Sequence, residues 1–288
     1  MPELPEVETV ARGLRLVLPG RGIVRVRLSA KTDFIDDPAA LERDLPGTRV
    51  KSVARYGKFL VLDLERGRAG EDDGRGGAIA LLIHLGMTGQ IVVGAAEAPV
   101  AAHTHVFLTL DNGRELRYTD PRRFGRMGIL ADGAREAVLG PLGIDPLEAS
   151  EEEFRGVITS RRARIKALLM DQRVFRGMGN IYTDESLWRA KINPKRLGAN
   201  LSAVEVRRLH RAVREILMEA IRLRGSSVSD YVDSEGQRGG FQLRHRVYQR
   251  EGKKCFRCGG MIRRAIVAGR SSFFCARCQA APRVRRKE

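Results

Sequence analysis

The end of the chain holds Cys255 and Cys258, then Cys275 and Cys278, a C-x2-C…C-x2-C array whose pairs are sixteen residues apart. No other cysteine occurs. Two tight pairs at this separation can wrap one tetrahedral Zn²⁺ through four thiolates, so one structural zinc is expected. Disulfides are the weaker reading, because nothing in the sequence points to an oxidising compartment. A redox dithiol is weaker still, since neither pair opens a helix after a buried strand. The beginning of the chain offers a second chemistry. Removal of Met1, which a small second residue permits, would leave Pro2 as a secondary amine. An α-amino group titrates near about 8, so part of it is an unprotonated nucleophile at neutral pH. Amines attack sugar C1′ or aldehydes to give iminium ions. A secondary amine yields an iminium with no N-proton to lose, which stays cationic and acts as an electron sink for elimination. Glu3 beside it can shuttle protons. The plain alternative is that Pro2 to Glu6 only starts a helix.

Charge points to a partner. The 288 residues carry a formal net charge of +17, and fourteen Lys/Arg against two Asp/Glu from Arg244 to Glu288 supply +12 of it. Nucleic acid is the expected partner of so basic a chain. No basic amphipathic anchor and no apolar run near the ~20 residues of a membrane span occurs, so no membrane role is expected. The N-terminus lacks the regions of a signal peptide, which suggests a cytosolic protein.

The elements that must carry these groups are partly legible. Residues 3–18 read as a helix, with Pro5 in its first turn and Val7, Val10, Ala11, Leu14 and Leu18 at helical spacing. Strand patterns follow at Ile23–Leu28, Arg49–Val53, Phe59–Leu64, Ala78–His84, Gln90–Val93, His105–Leu110 and Glu115–Tyr118, with a hairpin turn at Asp111-Asn112-Gly113. Arg66–Gly77 reads as a mobile, glycine-rich loop. Many short strands with turn punctuation imply a β-sandwich or barrel-like domain. After a turn-rich linker the pattern becomes helical. Ser150 with Glu151, Glu152 and Glu153 caps one helix, Arg164–Met170 and Ile181–Ala190 flank a Gly177-Met178-Gly179-Asn180 break, and Ser202 with Glu205 caps a long helix ending near Arg224-Gly225. Residues 226–243 read as a flexible loop. The class is α+β multidomain. Residues 1–135 form an N-terminal β-sandwich with a flanking helix, 136–149 a linker, 150–243 a helical domain with the loop, and 244–288 a zinc-finger β-hairpin with a basic tail.

Met1-Pro2-Glu3-Leu4-Pro5-Glu6-Val7-Glu8-Thr9 resembles the opening signature of bacterial formamidopyrimidine-DNA glycosylases, in the formamidopyrimidine-DNA glycosylase/endonuclease VIII family. Ile83-His84-Leu85-Gly86-Met87-Thr88-Gly89, Tyr118-Thr119-Asp120-Pro121-Arg122-Arg123-Phe124-Gly125, Gly177-Met178-Gly179-Asn180-Ile181-Tyr182 and the cysteine array are similar to family segments in the same order. The likeness covers nearly the whole chain. It implies a DNA glycosylase that removes oxidised purines from duplex DNA and cleaves the strand by β,δ-elimination through a Schiff base at Pro2, with Glu3 moving protons. It further implies that Lys58 contacts phosphate near the lesion, and that Met87, Arg122 and Phe124 fill the void left by an everted base. Asn180, in a helix–two-turn–helix element, and Arg270 in the hairpin would hold DNA phosphates, and the 226–241 stretch would be a lesion-recognition loop. His103 would line the DNA-facing cleft. His84 and His105 read as hydrogen-bonded structural residues rather than metal ligands. The expected partner is damaged double-stranded DNA, with no nucleotide cofactor, and the expected form is a monomer in the bacterial cytoplasm, at the nucleoid. Two rivals remain: an endonuclease VIII-like enzyme for oxidised pyrimidines, against which Leu4 argues because that branch usually shows glycine there, and a non-catalytic zinc-ribbon DNA binder. Departures from the family pattern are Arg176, Gln249, Lys254, the long Arg66–Gly77 loop and the tail from Ala280.

Overall fold

The structure, a computed structural model, describes residues 1–66, 79–131 and 133–281. The Arg66–Gly77 loop, after its first residue, and the tail beyond residue 281 lie outside the described residues. The chain divides into two compact units, 1–141 with 223–240, and 142–222 with 241–288.

The first unit opens with α1 (Leu4–Val17). Its apolar stripe is the expected one, and Val7, Val10, Ala11, Leu14 and the following Leu18 are fully buried. The strands are β1 (Ile23–Leu28), β2 (Thr48–Tyr56), β3 (Phe59–Arg66), β4 (Ile79–His84), β5 (Gln90–Ala95), β6 (Thr104–Leu110), β7 (Arg114–Thr119) and β8 (Arg126–Leu130), with helices α2 (Pro38–Asp44) and α3 (Ala134–Leu139). They form two antiparallel four-stranded sheets, ordered β1-β6-β7-β5 and β2-β3-β4-β8. Side chains from both sheets and α1 share one core, including Ile23, Leu62, Ile83, Val106 and Tyr118. This is the sandwich with a flanking helix that strand-period alternation requires.

Register brings several chain reversals to one end. Phe59 pairs with His84, and His84 with Arg126, while Gln90 and Thr104 both pair with Thr119. The Gly57-Lys58 turn, the 85–89 connection, the 120–125 connection and His103 therefore gather at neighbouring strand ends.

The second unit contains α4 (Glu151–Thr159), α5 (Ile165–Met170), α6 (Asn180–Arg189), α7 (Ala203–Arg222) and the two-stranded hairpin of β9 (Ile262–Val267) and β10 (Arg270–Cys275). Ser150 and Glu153 form the expected reciprocal cap. Ser202 accepts from Glu205 N–H while Glu205 accepts from Ser202 N–H, as read from sequence. Among the described residues no helix is long and apolar enough to cross a membrane.

Two expectations change. The stretch 223–240 packs with the first unit and not with the helical segment 150–243. The reason is long-range: Tyr231 joins the sandwich core, Val93 N–H donates to the Ser234 carbonyl at 3.2 Å, and Ser226 N–H donates to Glu6 at 2.7 Å. The stretch read as a flexible loop is also internally bonded. Ser227 donates to the Tyr231 carbonyl at 2.7 Å and accepts from Gly239 N–H at 2.8 Å, and buried Asp233 accepts from Glu235 and Gln237 N–H. Two short helices and β8 were not read from sequence. For α2 the Asp37-Pro38 pair carried the signal, because Asp37 accepts from Ala40 N–H at 3.0 Å and Pro38 needs no donor in the first turn.

One carboxylate fixes α1 to the sheet. Glu8 lies 2.9 Å from Arg12, 3.0 Å from Arg15 and 3.0 Å from Arg55. Burial works against its charge, but the three guanidiniums hold it below the usual carboxylate range. A depressed folded pKa stabilises above the unfolded value and is lost as pH falls through the folded one. Glu8→Gln should therefore cost about 2 kcal/mol near neutral pH. Chemical denaturation repeated at pH 7 and pH 3 should show that penalty shrinking at the acid end; an equal penalty at both would exclude the charge as its source.

Candidate nucleic-acid active site

Pro2 is buried in front of α1, and Met1 is half exposed at 50%. Glu3 is the helix N-cap, in extended conformation and 3% exposed. Its side chain accepts from Glu6 N–H, while Glu6 accepts from Glu3 N–H at 2.8 Å. Glu6 also receives the Ser226 N–H, and its carbonyl accepts from the Tyr231 hydroxyl at 3.3 Å. Proline and a capping acid therefore start the helix, as the plain reading has it. The same contacts fix the first residues in position, so the two readings are compatible.

Met1 lines a depression of about 480 Å³ with His84, Met87 and Phe124. Met87 and Phe124 are 39% and 54% exposed, so neither is a core residue. The Arg122 guanidinium lies 4.4 Å from the centre of the Phe124 ring. Lys58 is 7% exposed in the β2–β3 turn. His84 sits near it, and burial, then the Lys58 charge, lowers the imidazole to about 4, so it is neutral at pH 7. His84 accepts from Gly86 N–H at 3.1 Å. His105 is buried, 2.9 Å from the Ser29 hydroxyl and 3.2 Å from the Asp120 carbonyl. Both are hydrogen-bonded as expected. His103 is exposed, with φ of 63°, and its carbonyl accepts from Asp120 N–H at 3.0 Å.

In the second unit Asn180 and Arg270 line one depression of about 400 Å³, together with Tyr248, Gln249, Arg264 and Ser271. Asn180 opens α6, where free N–H groups favour an anion. Its Oδ1 is buried with no hydrogen-bond partner among the described residues. Arg270 is exposed just beyond a two-residue turn, Ala268-Gly269, with φ of 51° and 70°. Positive φ at both positions is what a tight type I′ hairpin turn needs.

Two consecutive acids on α6, which sequence reading passed over, hold this depression together. Asp184 is 2.7 Å from Lys166 and accepts from Phe273 N–H at 2.8 Å, while Lys166 donates to the Ser271 carbonyl at 2.9 Å. Glu185 accepts N–H groups from Arg246, Val247 and Tyr248, each at 2.9 Å. Burial pushes its carboxyl up and those donors oppose the rise. The signal available in sequence was two acids at apolar helix positions, residues that are rarely buried unless partnered.

The four cysteine sulfurs lie within 4.8 Å of one another, the one such group of possible metal ligands among the described residues. Cys258 and Cys275 sulfurs are 3.4 Å apart and those of Cys255 and Cys278 4.0 Å. Zn–S bonds of about 2.3 Å in a tetrahedron give edges near about 3.8 Å, so the donor set fits zinc. Trp188 Nε1–H points at Cys255 at 3.4 Å, and the backbone N–H groups of Arg257 and Cys258 also face that sulfur. Burial opposes ionisation of Cys255, and these donors bring it down to about 6. Arg176, one of the departures, is turned inward: it donates to the Gly143 carbonyl at 2.8 Å and lies 3.6 Å from Asp145. Gln249 takes a φ of 54°, a conformation that suits glycine better.

Sandwich, helical segment and four-cysteine hairpin together define a multidomain zinc-finger protein class. Three family domains match in order: the formamidopyrimidine-DNA glycosylase N-terminal domain over residues 1–127, the H2TH domain of the same family over 142–232, and the zinc finger found in FPG and IleRS over 252–281. A formamidopyrimidine-DNA glycosylase from Pelotomaculum thermopropionicum is 42% identical over 284 residues, covering 97% of this chain and 99% of the relative. The crystal structure of the MutM (FPG) protein of Thermus thermophilus superposes with a TM-score of 0.81 at 40% identity, covering 96% of this chain and 98% of that one. A complex of the Lactococcus lactis Fpg with DNA containing an abasic site gives 0.85 at 32% identity, covering 97% and 100%. The chain belongs to the formamidopyrimidine-DNA glycosylase family.

Trp188 is the single tryptophan of the chain and touches both Cys255 and the Arg257 guanidinium, 4.1 Å from its ring. Removing zinc from the protein, or introducing Cys258→Ser, should shift its fluorescence as the thiolate contact is lost. Metal content measured alongside should fall from one zinc per chain to none. A tryptophan spectrum unchanged after verified zinc loss would contradict the assignment of these cysteines to the metal.

Proposed function

We propose that the protein is a base-excision-repair glycosylase for oxidised purines in duplex DNA, 8-oxoguanine and formamidopyrimidines among them. We propose also that it is an abasic-site lyase working through Pro2. The observation that supports this most strongly is the setting of the N-terminus. Glu3 and Glu6 hold it by reciprocal hydrogen bonds, and Met1 opens onto the depression that Met87 and Phe124 line.

With Met1 removed, the Pro2 nitrogen is a secondary amine. It attacks C1′, the C1′–N9 bond breaks and the base departs, taking up a proton. Glu3 delivers a proton to O4′ as the C1′–O4′ bond opens, and the nitrogen lone pair completes an iminium. The cation draws electrons as C2′ loses a proton and the 3′ phosphate leaves. A second elimination expels the 5′ phosphate, and water then hydrolyses the iminium. Lys58 offers a positive charge to a phosphate beside the lesion, and the neutral His84 next to it adds no competing cation. Met87, Arg122 and Phe124 take the space vacated by the everted nucleotide: a thioether and an aromatic ring replace stacking, and a guanidinium can bond the orphaned partner base. Asn180 and Arg270 grip a phosphate, and His103 contacts DNA at the same strand ends as Lys58. Catalysis falls to the unit of 1–141 with 223–240, and the Asn180–Arg270 phosphate grip and the zinc finger to the unit of 142–222 with 241–288, the four cysteines holding one Zn²⁺. The protein works in the bacterial cytoplasm at the nucleoid, as a monomer.

Borohydride reduction with a duplex containing 8-oxoguanine should leave one covalent protein–DNA adduct. Pro2→Gly should reduce trapping by at least about tenfold, because a primary amine gives an iminium that can lose its N-proton. Mass spectrometry of the purified protein should show Met1 absent. A retained Met1 together with undiminished trapping would exclude the mechanism. Faster release of thymine glycol than of 8-oxoguanine would transfer the protein to the pyrimidine-directed branch.

A further inference from the structure

We infer that Asp120 is a positioning residue that makes Met87, Arg122 and Phe124 one rigid wedge, and thereby governs how the duplex is opened around a lesion. The inference rests on the glycosylase reading above. Asp120 is fully buried, at 0% exposure. Its Oδ1 accepts from the Thr88 hydroxyl and from Arg122 N–H at 3.3 Å. Its Oδ2 accepts from the Tyr118 hydroxyl at 3.0 Å and from Gly125 N–H at 2.9 Å. Thr88 follows Met87 in the chain, and Arg122 and Gly125 bracket Phe124. One carboxylate thus gathers the neighbour of Met87 and both ends of the Arg122–Gly125 turn.

The backbones are locked as well. A Cβ placed on Gly86, where φ is 60°, would lie 2.4 Å from the Phe124 carbonyl, and one on Gly125 would lie 1.8 Å from the Tyr118 hydroxyl. The 85–89 and 120–125 connections therefore touch backbone to backbone, with the carboxylate bonded to both. Neither can shift alone. Met87 and Phe124 themselves are 39% and 54% exposed, so the backbone that carries them does most to set their direction. Inserting side chains into a base stack costs unstacking energy, and any freedom they lose on insertion adds to that cost. A wedge ordered beforehand avoids the second cost.

The carboxylate is specifically required, because each of its oxygens faces a backbone N–H. An asparagine offers one acceptor oxygen and turns its NH₂ toward the other amide, leaving a buried donor unmatched. Thr88→Val and Tyr118→Phe each remove one hydroxyl donor and leave the backbone unchanged.

Single-turnover rates on two substrates separate wedge from scaffold. A duplex with 8-oxoguanine needs its stack opened; single-stranded DNA with a preformed abasic site does not. Asp120→Asn and Thr88→Val should slow excision from the duplex by about tenfold, the scale of one lost charge-assisted hydrogen bond. Borohydride trapping on the single strand should be unchanged, and Thr88→Ser should restore duplex excision. A 2-aminopurine beside the lesion should brighten with the wild-type protein, as the stack opens, and stay dim with Asp120→Asn. Equal losses on both substrates, as general damage to the fold would give, or wild-type excision and fluorescence in Asp120→Asn, would overturn the inference. A wild-type protein that traps on neither substrate would overturn the glycosylase reading, and this inference with it.

Discussion

A chain terminus is ordinarily the least ordered part of a domain, yet here it carries the proposed nucleophile. The Glu6 carboxylate answers that constraint. It accepts from Glu3 N–H on one side and from Ser226 N–H on the other, while Glu3 accepts from Glu6 N–H. The Glu3 and Glu6 N–H groups, which open the helix without helical partners, are thereby satisfied by side chains that also anchor the residues before it. Glu8, two positions beyond the capping pair, fixes the next turn through Arg15 and Arg55. The order of acids in Glu3, Glu6 and Glu8 thus does two separate tasks. Glu3 and Glu6 hold the terminus, and Glu8 holds the helix to the sheet.

The sandwich contributes through its strand ends more than through its faces. Its interior is mainly aliphatic packing, with Phe34, Tyr118 and Tyr231 among it. Its register, however, places the turn bearing Lys58, the connection bearing Met87 and the connection bearing Arg122 and Phe124 on neighbouring strands. Loops on a rigid scaffold can carry exposed apolar groups without the strands adjusting to them. Met87 and Phe124 stand partly exposed on that rim, and the proposed function gives them a base stack to enter.

Much of this was legible in the residues. The helical spacing of Val7, Val10, Ala11 and Leu14 gave α1, alternation gave most strands, and cysteine spacing gave the metal-binding group. Each of those signals is local. What escaped reading depends on partners distant in sequence. The segment 226–243 reads as a flexible loop because the acceptor for Ser226 N–H lies 220 residues away. Asp184 and Glu185 were passed over for the same reason, because only the fold brings Lys166 and the 246–248 amides to them. Met87 and Phe124 were ambiguous for a different reason: apolarity states that a side chain avoids water, and leaves open whether it does so in the core or in a complex.

The zinc hairpin shows why buried charge is used where hydrophobic packing would fold a larger domain. Its residues 252–281 are too few to bury a self-sufficient core, and chains that small generally need a metal or a crosslink. The cluster around the cysteines is small and borrows Trp188 from α6. Apolar contacts of that kind resist separation but tolerate sliding, since dispersion has little direction. The Lys166–Asp184–Phe273 and Glu185–246–248 bonds are directional, and breaking either would leave a buried charge without partners. The proposed phosphate grip by Asn180 on α6 and Arg270 on the hairpin needs the two elements held in register. Directional buried bonds meet that requirement, while the metal supplies the cohesion that so short a segment cannot generate from its own side chains.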